Sequence, residues 1–470
     1  MPGVQSSSGL RVLLTNNTLG TRAGSEMYVR DLAIALMKRG HFPVAYSSVL
    51  GEVAHELRQA TVPVIDDLTT LQEPPDIIHG QHHLDTMAAV LRFPTTPAIS
   101  VCHGWVPWEE LPSVFPTIMH HVAVDDLCRE RLLITAGVTA ADVSVIYNFV
   151  DLERFNLRTS WRDKPRSALI FSNYAGSNPA THAIKSACIR AGIERVDIVG
   201  SGSGNSVAKP ELILGEYDLV FAKARCALEA MASGAAVIVA DHSGLGGMVT
   251  SQNVGQMRRL NFGVRTMQAT AVTEENVLRE LRRYDSQDAS RVSVWIRTQA
   301  DMSAAVTDWL SLYEDVIARW RDANHQGTAI EFQEQSIAAS RYLRSLAPVI
   351  KTRSDAEHRA HHATQIQAEL SRQLAAREAE SAARIQETAA AQGDLLQRMA
   401  AKEVELATRV QEAADAQSSL LQRIADKKRE VAAVRAEASA LEAQLKAILS
   451  SRAWQVATKY GKMRAWFRKS

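Results

Sequence analysis

The segment DLVFAKARCALEAMASGAAVIVAD (residues 218–241) contains the two patterns that decide the fold of this chain. An apolar, strand-like run ends at Lys223, and a helix-like segment follows it before a second apolar run begins. Strand–helix–strand units of this kind build parallel sheets that helices cover on both faces. Lys223 and Arg225 lie where the helix begins, although the helix dipole disfavours cations there by a few tenths to about 1 kcal/mol each.

These two cations have two interpretations. In the first, they clamp a diphosphate on the N–H groups of the helix N-terminus, and Glu229, one turn deeper, accepts hydrogen bonds from a ribose diol. In the second, they are a surface pair with solvent-facing heads. A simple Arg225–Glu229 pair explains them less well, because a cation N-terminal to its carboxylate is the weaker orientation, worth at most about 0.5 kcal/mol.

The same alternation of strands and helices occurs twice along the chain. One series begins at RVLLTN (residues 11–16) and another at RSALIFSN (residues 166–173), with an irregular polar connection at residues 151–165. NVGQMRRL (residues 253–260) is predicted as the last strand-like run. We therefore predict two doubly wound α/β domains, residues 1–160 and residues 161–330, which face each other across a cleft.

The composition changes near residue 330, since no proline follows Pro348 and glycine becomes rare. Leucines at 370, 395 and 420 recur every 25 residues, and residues 431–448 follow an a/d heptad pattern. Residues 331–450 are therefore predicted to be a long helix whose apolar seam is buried in a coiled coil, which makes a homo-oligomer the expected state. The alternative is a single solvated helix.

The last stretch, residues 451–470, combines aromatic side chains such as Trp454 and Trp466 with lysines and arginines. This combination suits the headgroup region of an anionic bilayer, so we predict peripheral membrane contact. A helical cap on the coiled coil is the alternative.

Charge and cysteine content exclude several classes of protein. The formal net charge is +1 over 470 residues, which argues against a dedicated nucleic-acid binder. The four cysteines are widely spaced and predict neither a zinc site nor a disulfide framework. Because no run approaches about 18 uncharged apolar residues, we predict a cytoplasmic protein with, at most, peripheral contact at the inner face of the membrane.

Two further features of the first domain are candidate ligand groups. Gly24 lies in a loop between a strand and a helix, where the backbone can approach a ligand closely. His103 ends the strand-like run AISVCHG, and the carboxyl ends of parallel strands line the ligand crevice in such sheets. A purely structural histidine is the alternative for His103.

Five segments in order resemble landmarks of the retaining glycosyltransferases of family 4, which have the two-domain GT-B fold. They are AGSEMYVRDLAIALMKRGH, ISVCHG, HHVAVDDLCRERL, VSVIYNFVDLERF and LEAMASGAAVIVAD. The resemblance extends over about residues 11–320. It implies that Gly24 lies near the donor diphosphate or the acceptor, that His103 lies near the transferred sugar, and that Glu229 holds the donor ribose. It also implies a retaining reaction without metal or cofactor, in which the nucleotide-sugar is a substrate.

The chain departs from this family in two places. Phe221 stands where the E-x7-E motif has its first glutamate, and the basic residues that usually follow the first strand of the second domain are missing. We expect a glycosyltransferase that moves a sugar from a nucleotide-diphosphate-sugar to a glycan acceptor, in bacterial cell-surface polysaccharide synthesis. Phe221 favours the alternative, which is a catalytically inactive GT-B scaffold that acts through its coiled coil.

Overall fold

A computed structural model of the protein describes residues 9–323, 325–395 and 403–450, and it includes the side chains of the two long helices at 329–386, 408–436 and 439. Within the described residues, the chain up to Arg344 and residues 447–450 form one compact unit, and Ser345–Lys446 form a second. The predicted tail, residues 451–470, lies outside the described residues.

The first part of the chain forms a parallel sheet of seven strands in the order β3-β2-β1-β4-β5-β6-β7. The strands are β1 (Arg11–Thr15), β2 (Phe42–Tyr46), β3 (Val64–Ile65), β4 (Ile77–Gln81), β5 (Ala98–Cys102), β6 (Ile118–Ala123) and β7 (Val143–Val145). The connecting helices are α1 (Gly24–Lys38), α2 (Glu52–Gln59), α3 (His83–Arg92) and α4 (Asp126–Leu133). Apolar side chains of the strands and of α1, α2 and α4 form one core, while Met87 and Val90 of α3 are buried but do not belong to it.

The second sheet has five strands in the order β12-β11-β10-β8-β9. Its strands are β8 (Ser167–Phe171), β9 (Arg195–Val199), β10 (Leu219–Ala222), β11 (Ala236–Asp241) and β12 (Gly244–Met248). Its helices are α5 (Pro179–Arg190), α6 (Ala224–Ala232), α7 (Val254–Arg259), α8 (Val264–Met267), α9 (Glu274–Leu281) and α10 (Ser286–Gln299). All pairs are parallel except β11 with β12, which is antiparallel.

The predicted strand at residues 253–260 is wrong, because these residues contain helix α7. Val254 and Arg258 are its buried positions, four residues apart, which is the spacing of a helix face. The edge of the sheet is instead β12, whose glycine-rich sequence GLGGM carries little strand signal.

Helix α11 (Met302–Asp322) follows the second sheet but packs on the core of the first. Trp309 and Tyr313 are fully buried there. The Tyr313 hydroxyl forms a hydrogen bond of 2.7 Å with Nδ1 of His79 on strand β4. The chain thus returns to its first domain after it completes the second.

The predicted long helical segment is confirmed, with α12 (Ala329–Leu395) and α13 (Glu403–Ser450). In the second unit the two helices lie side by side and antiparallel. Ala363 and Ile366 line one groove with Val431 and Val434, while Leu370 lines another with Leu420. The apolar seam is therefore buried, at least in part, by the other helix of the same chain. No helix among the described residues combines the length and hydropathy that crossing a bilayer requires.

Candidate functional site

The site is built around the turn that joins β10 to α6. Lys223 is the N-cap residue of α6, and among the described side chains none caps this helix. Ala224 has φ = 49°, a left-handed conformation that costs a non-glycine residue about 1 kcal/mol or more. Its N–H donates to the carbonyl of Phe262 at 3.1 Å. The turn is thus strained and held by a neighbouring loop, and no side chain in the described part of the protein caps the start of α6.

Arg225 lies in the first turn of α6 and is largely buried, with a side-chain exposure of 12 %. Its Nε donates to Oε1 of Glu229 at 2.8 Å, and its Nη2 donates to Oδ2 of Asp31. The Arg225–Glu229 pair that the sequence argument ranked as the weaker explanation therefore forms. A second carboxylate, Asp31 on α1 of the first domain, shares the same guanidinium.

Asp31 is the centre of a buried cluster of charges. Its carboxylate accepts hydrogen bonds from Arg30, Arg154 and Arg225, and its side chain is 3 % exposed. Burial would raise the pKa of Asp31, but Arg225 and the two other arginines outweigh it and lower that pKa. Burial raises the pKa of Glu229, and Arg225 only partly opposes this rise. Of the two carboxyl groups that hold Arg225, Asp31 is therefore the more readily ionised and Glu229 the less readily ionised.

Lys223 points along the ends of three strands of the second sheet. Its ammonium pairs with Asp241, the last residue of β11, and lies 4.8 Å from the ring centre of Tyr174, in the loop after β8. Burial would raise the pKa of Asp241, but Lys223 and Ser243 lower it. Tyr174 is 60 % exposed and contacts His242 at 4.8 Å between ring centres. These groups form an open cationic and aromatic edge.

His103 follows β5 in the first domain, as predicted. Its ring packs edge-on against Tyr28, with 4.9 Å between ring centres. Its Nε2 is buried without a hydrogen-bond partner within the described part of the chain. Burial lowers the pKa of His103 to about 4. The imidazole is therefore neutral at physiological pH and can act as a hydrogen-bonding group.

One face of helix α1 connects the two halves of the site. Gly24, Tyr28 and Asp31 recur at helical spacing, so they share a face. A Cβ at Gly24 would meet nothing within 4 Å, so this face is open at its start. Tyr28 contacts His103 and Asp31 contacts Arg225. This face of α1 thus contacts both His103 of the first domain and Arg225 of the second.

Phe221 lies in the middle of β10 and is fully buried among apolar side chains. The side chain at this position faces the core of the second sheet and not the cleft. A side chain at position 221 therefore cannot contact a ligand in the cleft.

Sequence reasoning missed Asp31, Arg154 and Glu110, a buried carboxylate beside His103. A signal for Asp31 was present, because a charged residue on the apolar face of an amphipathic helix needs a partner. The partner itself lies 194 residues away, beyond the reach of any local pattern. Among the described residues, no group of three or more histidine, cysteine, aspartate or glutamate side chains is placed to hold a metal ion.

Comparison with known proteins gives one family and several structures. Residues 22–154 match the model of Glycosyltransferase Family 4. A glycosyltransferase from Rickettsia africae is 12 % identical over 66 % of this chain and 99 % of its own, with a TM-score of 0.45. HepE of Anabaena in complex with UDP and glucose is 15 % identical over 65 % of this chain and 100 % of its own, also with a TM-score of 0.45. No curated protein gives a significant match.

The topology and the family match agree on the type of fold. Two Rossmann-like sheets carry their candidate ligand groups at the carboxyl ends of their strands, and the match lies in the first of them. The chain therefore has the GT-B fold of glycosyltransferases, and its first domain resembles glycosyltransferase family 4.

Proposed function

We propose that this protein transfers a sugar from a nucleotide-diphosphate-sugar to a glycan acceptor. The observation that supports this most is the strained start of α6, which no described side chain caps and which carries Lys223 and Arg225. Cations, N–H groups and the positive end of a helix dipole suit a diphosphate together. The resemblance of this segment to the donor-site helix of glycosyltransferase family 4 supports the same proposal.

In the proposed donor complex, Lys223 and Arg225 exchange partners. Both now bind carboxylates, Asp241 and Asp31, and a diphosphate would take over these contacts. As the bond to the sugar breaks, negative charge grows on the leaving diphosphate, where fixed cations stabilise the transition state by several kcal/mol. Glu229, which lies beside Arg225, would accept hydrogen bonds from the ribose hydroxyls.

His103 and Gly24 belong to the opposite wall of the cleft. Because the His103 ring is neutral and its Nε2 lacks a partner among the described groups, it is suited to bind a hydroxyl of the transferred sugar. Closure of the two domains would bring this wall onto the donor and exclude water, which would otherwise hydrolyse it. From the family resemblance we propose a retaining, metal-independent reaction.

Thermal melting with a panel of nucleotides tests this function. UDP, GDP, ADP, UDP-glucose and GDP-mannose are added in turn to the full chain. At least one nucleoside diphosphate is expected to raise the melting temperature, since a ligand that binds the folded state stabilises it. No shift with any nucleotide would remove the enzyme function and leave the scaffold, which Phe221 in the core of β10 favours.

The proposed reaction also has a proposed cellular location and role. We propose a role in bacterial cell-surface polysaccharide synthesis, in the cytoplasm, with self-association through the helical unit and membrane contact through residues 451–470. Co-sedimentation with liposomes that contain anionic lipid tests the last point, because a chain that ends at Ser450 should bind less. Equal binding of both chains would exclude the tail as the contact.

A further inference from the structure

Glu110 ties together three loops at the carboxyl edge of the first sheet. Its Oε2 accepts a hydrogen bond from the backbone N–H of His103 at 2.9 Å, and its Oε1 lies 3.2 Å from Nε2 of His82. On its other side, Nδ1 of His82 accepts from the N–H of Asn17 at 3.1 Å. Asn17, His82 and His103 follow β1, β4 and β5, which are adjacent in the sheet.

The contacts of Asn17, His82, Glu110 and His103 form one hydrogen-bond network, and they determine which ring nitrogen of His82 carries the proton. Because Nδ1 of His82 accepts from Asn17, the ring proton must be on Nε2, which then donates to Glu110. Burial would raise the pKa of Glu110, but His82 and the N–H of His103 lower it to about 2. Glu110 is therefore a carboxylate at all physiological pH values and accepts from both neighbours at once.

His82 is held in an unfavourable backbone conformation, with φ = 60°. A left-handed conformation at a non-glycine residue persists where surrounding contacts enforce it, and such residues cluster at functional sites. Here both ring nitrogens of His82 are engaged, one by Asn17 and one by Glu110. The network thus maintains strain in the loop next to His103.

The ring of His103 depends on this network for its position. Tyr28 supports one side of the ring, and Glu110 holds the backbone N–H from which the side chain departs. The ring Nε2 makes no hydrogen bond to the described residues, so no polar contact at its tip fixes the orientation. Small movements of the backbone at residue 103 would therefore displace the ring.

We propose that Glu110 is a positioning residue, which sets His103 against the transferred sugar without touching the sugar itself. This role rests on the proposed function, since it requires a nucleotide-sugar in the cleft. It predicts that Glu110 matters for the sugar part of the donor and not for the nucleotide part.

Glu110→Gln tests the proposal. A glutamine offers one oxygen and one NH2 group, so either His103 N–H or His82 Nε2–H would face a donor, and one contact must break. Affinities of the full chain are measured by calorimetry for UDP and UDP-glucose, or for the equivalent pair that stabilises the wild type. We expect the affinity for the nucleotide-sugar to fall by about three- to tenfold, and that for the nucleoside diphosphate to change less than about twofold.

Two further variants make the test specific. Glu280→Gln is the matched control, because Glu280 is a buried carboxylate of the second domain that also accepts a backbone N–H, from Met248 at 2.9 Å. It should leave the ratio of the two affinities unchanged. Glu110→Asp keeps the charge but is too short for both partners, so it should show the same selective loss even where the glutamine variant does not fold.

The results separate this role from the function on which it rests. Wild-type chain that binds no nucleotide in the panel would overturn the proposed function and this role with it. Wild-type chain that binds, together with Glu110 variants whose affinity ratio is unchanged, would overturn the role of Glu110 alone. An equal loss of both affinities would also overturn it, because a general structural defect does not distinguish the sugar from the nucleotide.

Discussion

Arg225 of the second domain and Asp31 of the first form an ion pair across the cleft, and both side chains are largely buried. Two other arginines share the carboxylate, and Glu229 shares the guanidinium. The pair therefore joins the two domains and at the same time occupies the cation that we assign to the donor diphosphate. A ligand that replaces Asp31 would change the contact between the domains as it binds.

Asp31→Asn should destabilise the free protein and strengthen its response to nucleotide. Removing the charge takes away the carboxylate that three arginines share, although each keeps one other carboxylate. We expect a cost of about 1.5–3 kcal/mol and a melting temperature lower by about 3–12 °C. A diphosphate would restore an anion beside Arg225, so UDP should raise the melting temperature more in the variant than in the wild type. A smaller rise in the variant would contradict this assignment.

The control for this change is Asp126→Asn. Asp126 also accepts across the domains, from Nε of Arg259 at 2.7 Å, but Arg259 is 68 % exposed. Pairs of this kind contribute at most about 1 kcal/mol. The variant should therefore melt close to the wild type and respond to UDP in the same way.

Glu229→Gln should weaken the recognition of the ribose without unfolding the second domain. Glutamine fills the same volume and keeps one acceptor oxygen, but the charge that strengthens hydrogen bonds to hydroxyls is lost. The affinity for UDP should fall about tenfold, and the preference for UDP over 2′-deoxy-UDP should decrease, as calorimetry would measure. Unchanged affinities for both ligands would remove Glu229 from the site.

Phe221→Glu should not restore the family motif. The side chain at this position is fully buried in the core around β10, so the variant places an unpaired carboxylate among apolar groups. We expect a loss of several kcal/mol and little soluble protein, in contrast to Phe221→Leu, which should cost about 1–2 kcal/mol. A soluble glutamate variant with increased transfer or nucleotide binding would show that residue 221 reaches the cleft.

The raised pKa of Asp85 predicts how the free energy of unfolding depends on pH. Burial raises its pKa from 3.8 to about 6, although His82 and Ser48 oppose the rise. Because the folded pKa is above the unfolded pKa, the protein loses stability as pH rises from about 4 to about 6. Asp85→Asn removes this loss, so it should raise the free energy of unfolding at pH 7.5 by about 1–3 kcal/mol and change it little at pH 4, which melting temperatures at the two pH values would show. An equal effect at both values would exclude titration of Asp85.

The sequence predicted the fold well, because strands, helices and their order leave local patterns. Alternating apolar runs and segments with helical spacing predict both sheets, and the scarcity of proline and glycine after residue 330 predicts the long helices. The errors lie where local signals are weak. The glycine-rich strand at 244–248 carries little strand signal, and the short helix α7 lies in a segment whose pattern predicts a strand.

The candidate site could be predicted only in part. Lys223, Arg225 and Glu229 are candidates together because they belong to one strand–helix turn, and His103 is a candidate because it ends a strand. Local sequence does not predict the carboxylates that pair with Lys223 and Arg225, since Asp31 comes from the other domain and Asp241 from the next strand. Periodicity shows which face of a helix is buried, but not which distant charge it meets.

The central claim is that the start of α6 holds a diphosphate, and the most direct test measures the affinity of Arg225→Gln for UDP, UMP and uridine. In the wild type, UMP should bind more tightly than uridine, and UDP more tightly than UMP. In the variant, the affinity for UDP should fall about tenfold or more, while that for uridine should stay within about twofold. If the variant binds UDP as tightly as the wild type does, Arg225 serves only to join the domains and the diphosphate does not bind at this turn.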